Sequence, residues 1–333
     1  MKTKKIILFT AIILSIILVG VFAYGYIAFS KVNIKKISKN DSDLGINKNT
    51  NYIPDVINTP PVKEDNDRVI NIALMGGDKR SKNDTGRADA IIILTIDEVH
   101  KKIKISSIMR DAYVSVYGYG NTKINHSYAY GGPQLLIKTL NQTFNLDIRD
   151  YVYVDFFGLE KLVDALGGVD INVKKNEIPW INTCIRETSM IKKRKPHYIK
   201  KSGMQNLTGE QALGYVRIRY VGNGDFDRTE RQREVLSILF NKIKDAGPLK
   251  YSYIALKMLP FVETSFDKTD IINLGLEIFS KGISSIEQQR FPVDGYWQGK
   301  TINKIWYLAF DTETTKDQIH DFIYDDVVPV KKQ

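Results

Sequence analysis

The sequence holds one cysteine, Cys184, and four histidines in 333 residues. A single thiol cannot build an intramolecular disulfide framework or a Cys-cluster zinc site, and four scattered imidazoles do not make a His-rich metal centre. Only 10 prolines and 23 glycines interrupt a chain that is 43% hydrophobic and 26% charged, which excludes a disordered or collagen-like polymer and leaves a globular one. Common catalytic signatures are missing as well: there is no G-x-x-x-x-G-K-S/T, no H-E-x-x-H, no G-x-S-x-G and no G-x-G-x-x-G after a strand. Acid is the scarcer charge, with 38 Asp and Glu against 48 Lys and Arg and a net charge of +10.

Long apolar runs are confined to one place. Ile6 to Phe29 reads IILFTAIILSIILVGVFAYGYIAF without a charge, and at about 1.5 Å per residue it spans a bilayer core of ~30 Å with some tilt. Lys2, Lys4 and Lys5 precede it as in a signal peptide. The apolar stretch nevertheless continues through Tyr24, Tyr26 and Phe29 without a small-residue cleavage site, which predicts an uncleaved anchor. Lys31, Lys35, Lys36 and Lys39 follow the span and outnumber the basic residues before it. Long domains translocate largely regardless of such charges, so the expectation is a cytoplasmic tail (1–5), a transmembrane anchor (6–29), an extracellular stalk (30–67) and an outward domain (68–329). A basic body outside the membrane points to anionic lipids, phosphates or acidic polymers, not to nucleic acid.

The stalk is polar, with Pro60-Pro61 and little periodicity. Beyond it, VINIALMG from Val69, Ala90 to Ile96 and Ile103 to Ile108 read as short strands buried on both faces. Leu135, Leu136, Leu140 and Phe144 recur at helical spacing. Tyr151 to Phe156 reads as a strand, Leu159 to Leu166 as a helix, and Gly167-Gly168 turns the chain into a strand at Val169 to Val173. A basic stretch, Arg186 to Lys201, reads as a solvated loop or as a patch for an anionic surface. Thr208-Gly209-Glu210-Gln211 is a capping box opening a helix. Asp227 is expected to cap a longer helix, Arg228 to Lys244, with Val235, Ile238, Leu239 and Ile243 facing the core. Helical patterns at Tyr253 to Met258, Ile271 to Phe279 and Thr315 to Tyr324, and a strand near Gln289 to Val293, complete one α/β domain.

Three clusters could carry chemistry. In RIRYVGNGDFDRTERQR (217–233), Arg228, Arg231 and Gln232 stand at i, i+3 and i+4, on one helical face near the positive end of the helix dipole. Arg217 and Arg219 precede them across a glycine turn. Several guanidinium forks aimed at one place suit a pyrophosphate, while salt bridges with Asp225, Asp227, Glu230 and Glu234 account equally for the spacing. In GGDKRSKNDTGRADA (76–90), Asp78 and Asp89 lie at strand ends, flanked by Arg80 and Arg87. Carboxylates so placed hold magnesium against phosphate oxygens, or belong to an ordinary polar turn. In SSIMRDAYVSVYGYGNTKINHSYAYGG (106–132), Arg110-Asp111 ends a strand and Lys123 opens a helical turn; His126 reads as structural.

Behind a single anchor, these clusters resemble the LytR-CpsA-Psr family of Gram-positive bacteria. The resemblance runs over about residues 68–246. Its carriers are MGGDKR (75–80), GRADA (86–90), SIMRDAYV (107–114), KINHSYAYGG (123–132), YVYVDFFGLEKLVDALGGVDINV (151–173), LTGEQALGYVRIR (207–219) and GDFDRTERQREVL (224–236). It implies a mixed central sheet with helices on both faces, holding a polyprenyl pyrophosphate in an apolar tunnel. The implied enzyme is a magnesium-dependent phosphotransferase, with manganese as substitute and pyrophosphatase as side activity. It would move an undecaprenyl-pyrophosphate-linked teichoic acid or capsule onto peptidoglycan at the cell membrane. By position Asp78 and Asp89 match the metal ligands. Arg87, Arg110, Arg217, Arg219, Arg228 and Gln232 match the pyrophosphate contacts, with Arg80, Lys123 and Arg231 as further contributors. Asp89, Arg110 and Arg228 are the implied catalytic residues, with Asp89 or Asp111 as candidate base. Met109 and Asp227 depart from the Pro and Gly that the family often has there. Two other readings stand beside this one: a non-catalytic binder of lipid pyrophosphate or wall polymer, which needs no Asp78 and Asp89, and a transcriptional attenuator, for which a five-residue tail offers no DNA-reading element.

Overall fold

The computed structural model describes residues 33–47, 68–77 and 86–332. The expected tail, the anchor at 6–29, most of the stalk, and Asp78 and Arg80 lie outside the described residues. Among the described residues no helix is long and apolar enough to cross a membrane.

The β-branched runs form the middle of a seven-stranded mixed sheet. Its strands are β1 (Asn33–Ile34), β2 (Val69–Gly77), β3 (Ala88–Asp97), β4 (Lys102–Ile108), β7 (Asp150–Asp155), β10 (Glu263–Thr264) and β11 (Ser285–Phe291), in the order β1-β10-β7-β2-β3-β4-β11. β2 is antiparallel to β3 and β3 to β4, whereas β7 joins β2, and β11 joins β4, in parallel. Side chains alternate across the sheet, and the two faces end differently.

On one face Ala73, Met75, Ile91, Ile93 and Ile108 meet α2 (Ile124–Phe144) and α9 (Thr312–Tyr324), where Leu136, Ile137, Leu140, Ile319 and Phe322 are fully buried. α2 is interrupted at Gly131-Gly132, where Gly132 takes φ +64, so the helical pattern beginning near Leu135 is its second half. On the other face Ile72, Ile92, Leu94, Ile96, Ile103 and Ile105 look toward α6 (Asp225–Ala246) and α8 (Lys268–Ser280), whose Leu236, Phe240, Leu274 and Ile278 are only half-buried. α7 (Pro248–Met258) covers the same face. A second core lies beside the sheet. There α3 (Phe156–Ala165), α4 (Ile178–Ile191), α5 (Gly209–Arg217) and the hairpin β8 (Val169–Val173) with β9 (Gly203–Leu207) bury Val163, Ile171, Ile181, Ile185 and Leu213.

The capping box at Thr208 forms as expected, with both of its hydrogen bonds present. Four expectations are corrected. Residues 33–47 are not tether but part of the domain: β1 pairs with β10, and Leu44, in a short helix α1 (Asp41–Leu44), is fully buried in the first core. The segment's apolar Ile37, Leu44 and Ile46 all pack on that core, but at spacings that match neither a helix face nor a strand face. The basic stretch is not all loop, since α4 runs through Arg186 to Ile191. Asp227 does not cap α6. Gly222 and Gly224, both at positive φ, turn the chain so that the helix begins three residues earlier, with Gly224 at the cap position, and the Asp227 carboxylate accepts the Asn223 N–H at 3.1 Å. Val235, Leu239 and Ile243 do not face solid core alone, because all three also line a cavity. The hairpins β5 (Tyr113–Val116) with β6 (Gly120–Lys123) and β12 (Trp297–Ile302) with β13 (Ile305–Phe310) were not signalled by hydrophobic alternation.

Candidate pyrophosphate site and apolar cavity

Between the second sheet face and α6 to α8 lies a cavity of about 1110 Å³, larger than the ~300–1,000 Å³ of ordinary small-ligand pockets. Its walls are aliphatic and aromatic along the strands. Helix α6 shows the design in one stripe: Arg228, Gln232, Val235, Leu236, Leu239, Phe240 and Ile243 all line the cavity, at spacings of three and four residues. The stripe is polar in the first two turns and apolar from Val235 to Ile243, with Lys244 at its far end. A ligand lying along it meets clustered charge first and hydrocarbon after it.

The polar end sits where β2 finishes, β3 begins and β4 ends, with Arg87, Asp89, Arg110, Arg217, Arg219, Arg228 and Gln232 all lining it. Asp89 is the hub. Arg110 Nη1 donates to its carboxylate, Arg219 Nη2 stands 3.6 Å from the other oxygen, and Arg228 Nη2 donates to the Asp89 backbone carbonyl at 3.0 Å. A second carboxylate, Asp225, closes the arrangement. It accepts from Arg228 Nη2 at 3.0 Å and lies 3.3 Å from Arg110 Nε and 3.8 Å from Arg219 Nε. Three guanidiniums thus share two carboxylates, which leaves positive charge in the first turn of α6, where the helix dipole adds to it.

Burial alone would raise the Asp89 carboxyl, but Arg110, Arg228 and Arg219 more than offset it and hold it below the ordinary carboxylate value. Asp89 is therefore ionised and a weak base at neutral pH. Burial pushes Arg228 down to about 10, despite support from Asp225, so it keeps its proton at neutral pH. Arg110 is shifted upward, because Asp225, Asp89 and Asp111 outweigh its burial. Arg110 Nε, Arg228 Nε and Asp225 Oδ1 are buried without a hydrogen-bond partner among the described residues.

Not every expected contributor arrives. Arg231 turns away from the cavity: its guanidinium pairs with buried Glu177 at 3.1 Å and donates to the Ile218 carbonyl, bracing the second core. Lys123 pairs with Asp111 at 2.7 Å, and Asp111 in turn stands 3.6 Å from Arg110 Nε, so Lys123 supports the site from behind. His126 bonds Thr122, and burial together with Arg87 and Lys123 lowers its pKa. Cys184 lines the cavity with its thiol pushed up by burial, which suits an inert position. Asp97, His100 and Asp326 also cluster, but buried Lys104 pairs with both aspartates, at 2.7 and 3.1 Å.

Sequence reasoning had Asp225 only as a salt-bridge partner, although a carboxylate three residues before Arg228 on the first turn signals its place. It passed over Trp180 and Tyr220, which also line the mouth.

Residues 22–321 match the model of the LytR_cpsA_psr family. Among curated relatives, the polyisoprenyl-teichoic acid–peptidoglycan teichoic acid transferase TagU of Bacillus cereus is 30% identical over 94% of this chain and 95% of its own. Regulatory protein MsrR of Staphylococcus aureus is 33% identical over 80% and 77%. Among solved structures, TagT bound to LI-WTA is 26% identical over 80% of this chain and 94% of its own, with a TM-score of 0.61. TagT with bound octaprenyl pyrophosphate lipid covers the same shares at 26% identity and a TM-score of 0.57.

Proposed function

Because the chain belongs to the LytR-CpsA-Psr family, we propose that it transfers an anionic glycopolymer, a teichoic acid or capsular polysaccharide, from a polyprenyl pyrophosphate carrier onto peptidoglycan. The observation that carries this reading is the joining of Arg110, Arg219 and Arg228 around Asp89 to the mouth of a long apolar cavity. The solved relative with octaprenyl pyrophosphate and the teichoic acid transferase TagU support it.

The polyprenyl chain lies against β2, β3 and the apolar stripe of α6, and the pyrophosphate meets the arginines. An acceptor hydroxyl oxygen on peptidoglycan bonds to the sugar-proximal phosphorus, and its proton passes to solvent water. The bond from that phosphorus to the bridging oxygen breaks, and polyprenyl phosphate leaves. Negative charge grows on the equatorial and leaving oxygens, so preorganised guanidiniums stabilise the transition state more than the ground state. Asp89 and Asp225 hold the three arginines in place against their mutual repulsion.

The donor set also fits magnesium, a hard cation that takes carboxylate oxygens. Asp89 and Asp225 would hold it, Asp225 Oδ1 being buried without a hydrogen bond, and Asp78 is the further candidate from the sequence. When bound, the ion supplies positive charge to the phosphate oxygens; manganese takes the same donors. In the expected topology only Ser30, Lys31 and Val32 lie between the anchor and β1, so the domain works at the outer face of the cell membrane.

The test uses the full chain, a lipid-pyrophosphate glycan and peptidoglycan, with magnesium present or chelated. Release of polyprenyl phosphate matched by glycan on peptidoglycan is the expected result. Lipid binding without any bond change under magnesium or manganese would replace the enzyme with a binding module.

A further inference from the structure

The cavity does not end at the arginines. Beyond them Trp180 and Tyr220 line the mouth with ring centroids 4.9 Å apart and planes at 33°, and both are exposed, at 38% and 73%. A paired aromatic surface left in water beside a charged site is costly unless something covers it. Thr183, one turn along α4 from Trp180, lines both the main cavity and a second cleft of about 230 Å³ formed with Pro179, Asn182, Arg186 and Tyr198. The two depressions therefore meet at α4.

Charge is distributed unevenly along this path. Part of the basic stretch that follows α4 is answered from within: Lys192 and Arg194 pair with Glu160 of α3, and His197 with Glu210, whereas the exposed Lys193, Lys195, Lys200 and Lys201 have no ion-pair partner among the described residues and do not line the second cleft. Arg186 is exposed and has no ion-pair partner among the described residues. A guanidinium in a cleft binds phosphate or carboxylate oxygens.

We propose that Trp180 and Tyr220 stack the first sugars of the donor glycan, and that the polymer then crosses Thr183 into the second cleft, where Arg186 meets its first anionic group. This rests on the pyrophosphate reading above and extends it from the linkage to the polymer. Flat aromatic faces suit the C–H faces of pyranose rings, and rings with two rotatable torsions lose little entropy on binding. Direct continuity with the pyrophosphate mouth favours the donor over the acceptor, because the sugar joined to the pyrophosphate has to leave the cavity past these rings.

The experiment measures affinity of the full chain in detergent for three probes: bare polyprenyl pyrophosphate, the same lipid carrying a disaccharide, and that lipid extended by a phosphate-bearing unit. Trp180→Ala should weaken both glycosylated probes by about tenfold and leave the bare lipid unchanged, and Trp180→Phe should restore most of the loss. Arg186→Ala should weaken only the phosphate-bearing probe, by about threefold at low salt, with the difference shrinking as salt rises. Equal weakening of all three probes, or none, overturns the proposal. So does a raised KM for peptidoglycan with donor affinity intact, which would make the surface an acceptor site. Failure of the unmodified protein to bind bare lipid would instead overturn the pyrophosphate reading itself.

Discussion

The two faces of the central sheet are built from the same aliphatic residues and end as different materials. On the α2 and α9 side Leu136, Ile137, Leu140 and Phe322 are fully buried in one core with the sheet. On the α6 to α8 side an equally apolar surface leaves about 1110 Å³ open, and its helices contribute half-buried side chains such as Leu236, Phe240 and Leu274. One face stores stability, since close packing gives each methylene partners on all sides. The other holds a surface prepared for a hydrocarbon ligand, with the arginines at its edge. Residues of the same chemistry can therefore be separated only by what breaks when they are changed.

The largest effect belongs to the charged edge. Arg228→Ala should lower the transfer rate about 10²-fold or more with little change in melting temperature, read by polyprenyl phosphate release. Its neighbour Arg231, whose guanidinium pairs with Glu177, should behave the other way. Arg231→Met should cost about 3 kcal/mol of stability, because it leaves a buried carboxylate unpaired, while the rate per folded molecule stays near normal. Urea unfolding and single-turnover kinetics on the two variants separate the roles.

Next come the faces themselves. Leu140→Ala, on the solid side, should cost about 3 kcal/mol without altering lipid affinity. Leu236→Ala, on the hollow side, should cost less, about 1 kcal/mol, since its side chain is only partly buried and faces the cavity in the free protein, yet weaken polyprenyl pyrophosphate binding several-fold. Equal stability losses at the two positions would mean that the two faces are packed alike.

The smallest effect lies at the joint between α3 and α4. Burial raises the Glu160 carboxyl, but hydrogen bonds and charge from Arg194 and Lys192 outweigh it and hold it below its ordinary value of 4.5. A carboxylate with a depressed folded-state pKa contributes stability above its unfolded pKa and loses it as pH falls through the lower folded value. Glu160→Gln should thus lower the melting temperature by about 3 °C at pH 7, with the gap closing below about pH 4 as the unmodified protein itself gains the proton.

Much of this was legible in the sequence. The β-branched runs of β2 to β4, the Thr208 capping box and the cluster of Arg110, Arg217, Arg219 and Arg228 all lie where their pattern placed them. Three features were not. A residue facing a cavity has the same periodicity as one facing core, so Val235, Leu239 and Ile243 could not announce the tunnel. Arg231, three residues past Arg228, sits about 60° round the helix, enough to reach Glu177 instead of the mouth. Residues 33–47 read as tether because Ile37, Leu44 and Ile46 reach one core from an irregular segment and leave no repeat. The hairpins at 113–123 and 297–310 carry glycines and charged residues where a half-buried strand would alternate.

The central claim is that the hollow face holds a polyprenyl chain whose pyrophosphate sits on the arginines. Its most direct test is the affinity of the full chain for pyrophosphates of increasing prenyl length, measured by calorimetry. Affinity should rise at least several-fold with each added five-carbon isoprene unit, well inside the ceiling of about 4 kcal/mol per unit that full burial at about 0.8 kcal/mol per carbon would set, until the cavity is filled, and Leu236→Ala should flatten the rise. Affinity that is the same for short and long chains would contradict the account, because the pyrophosphate alone would then explain all of the binding.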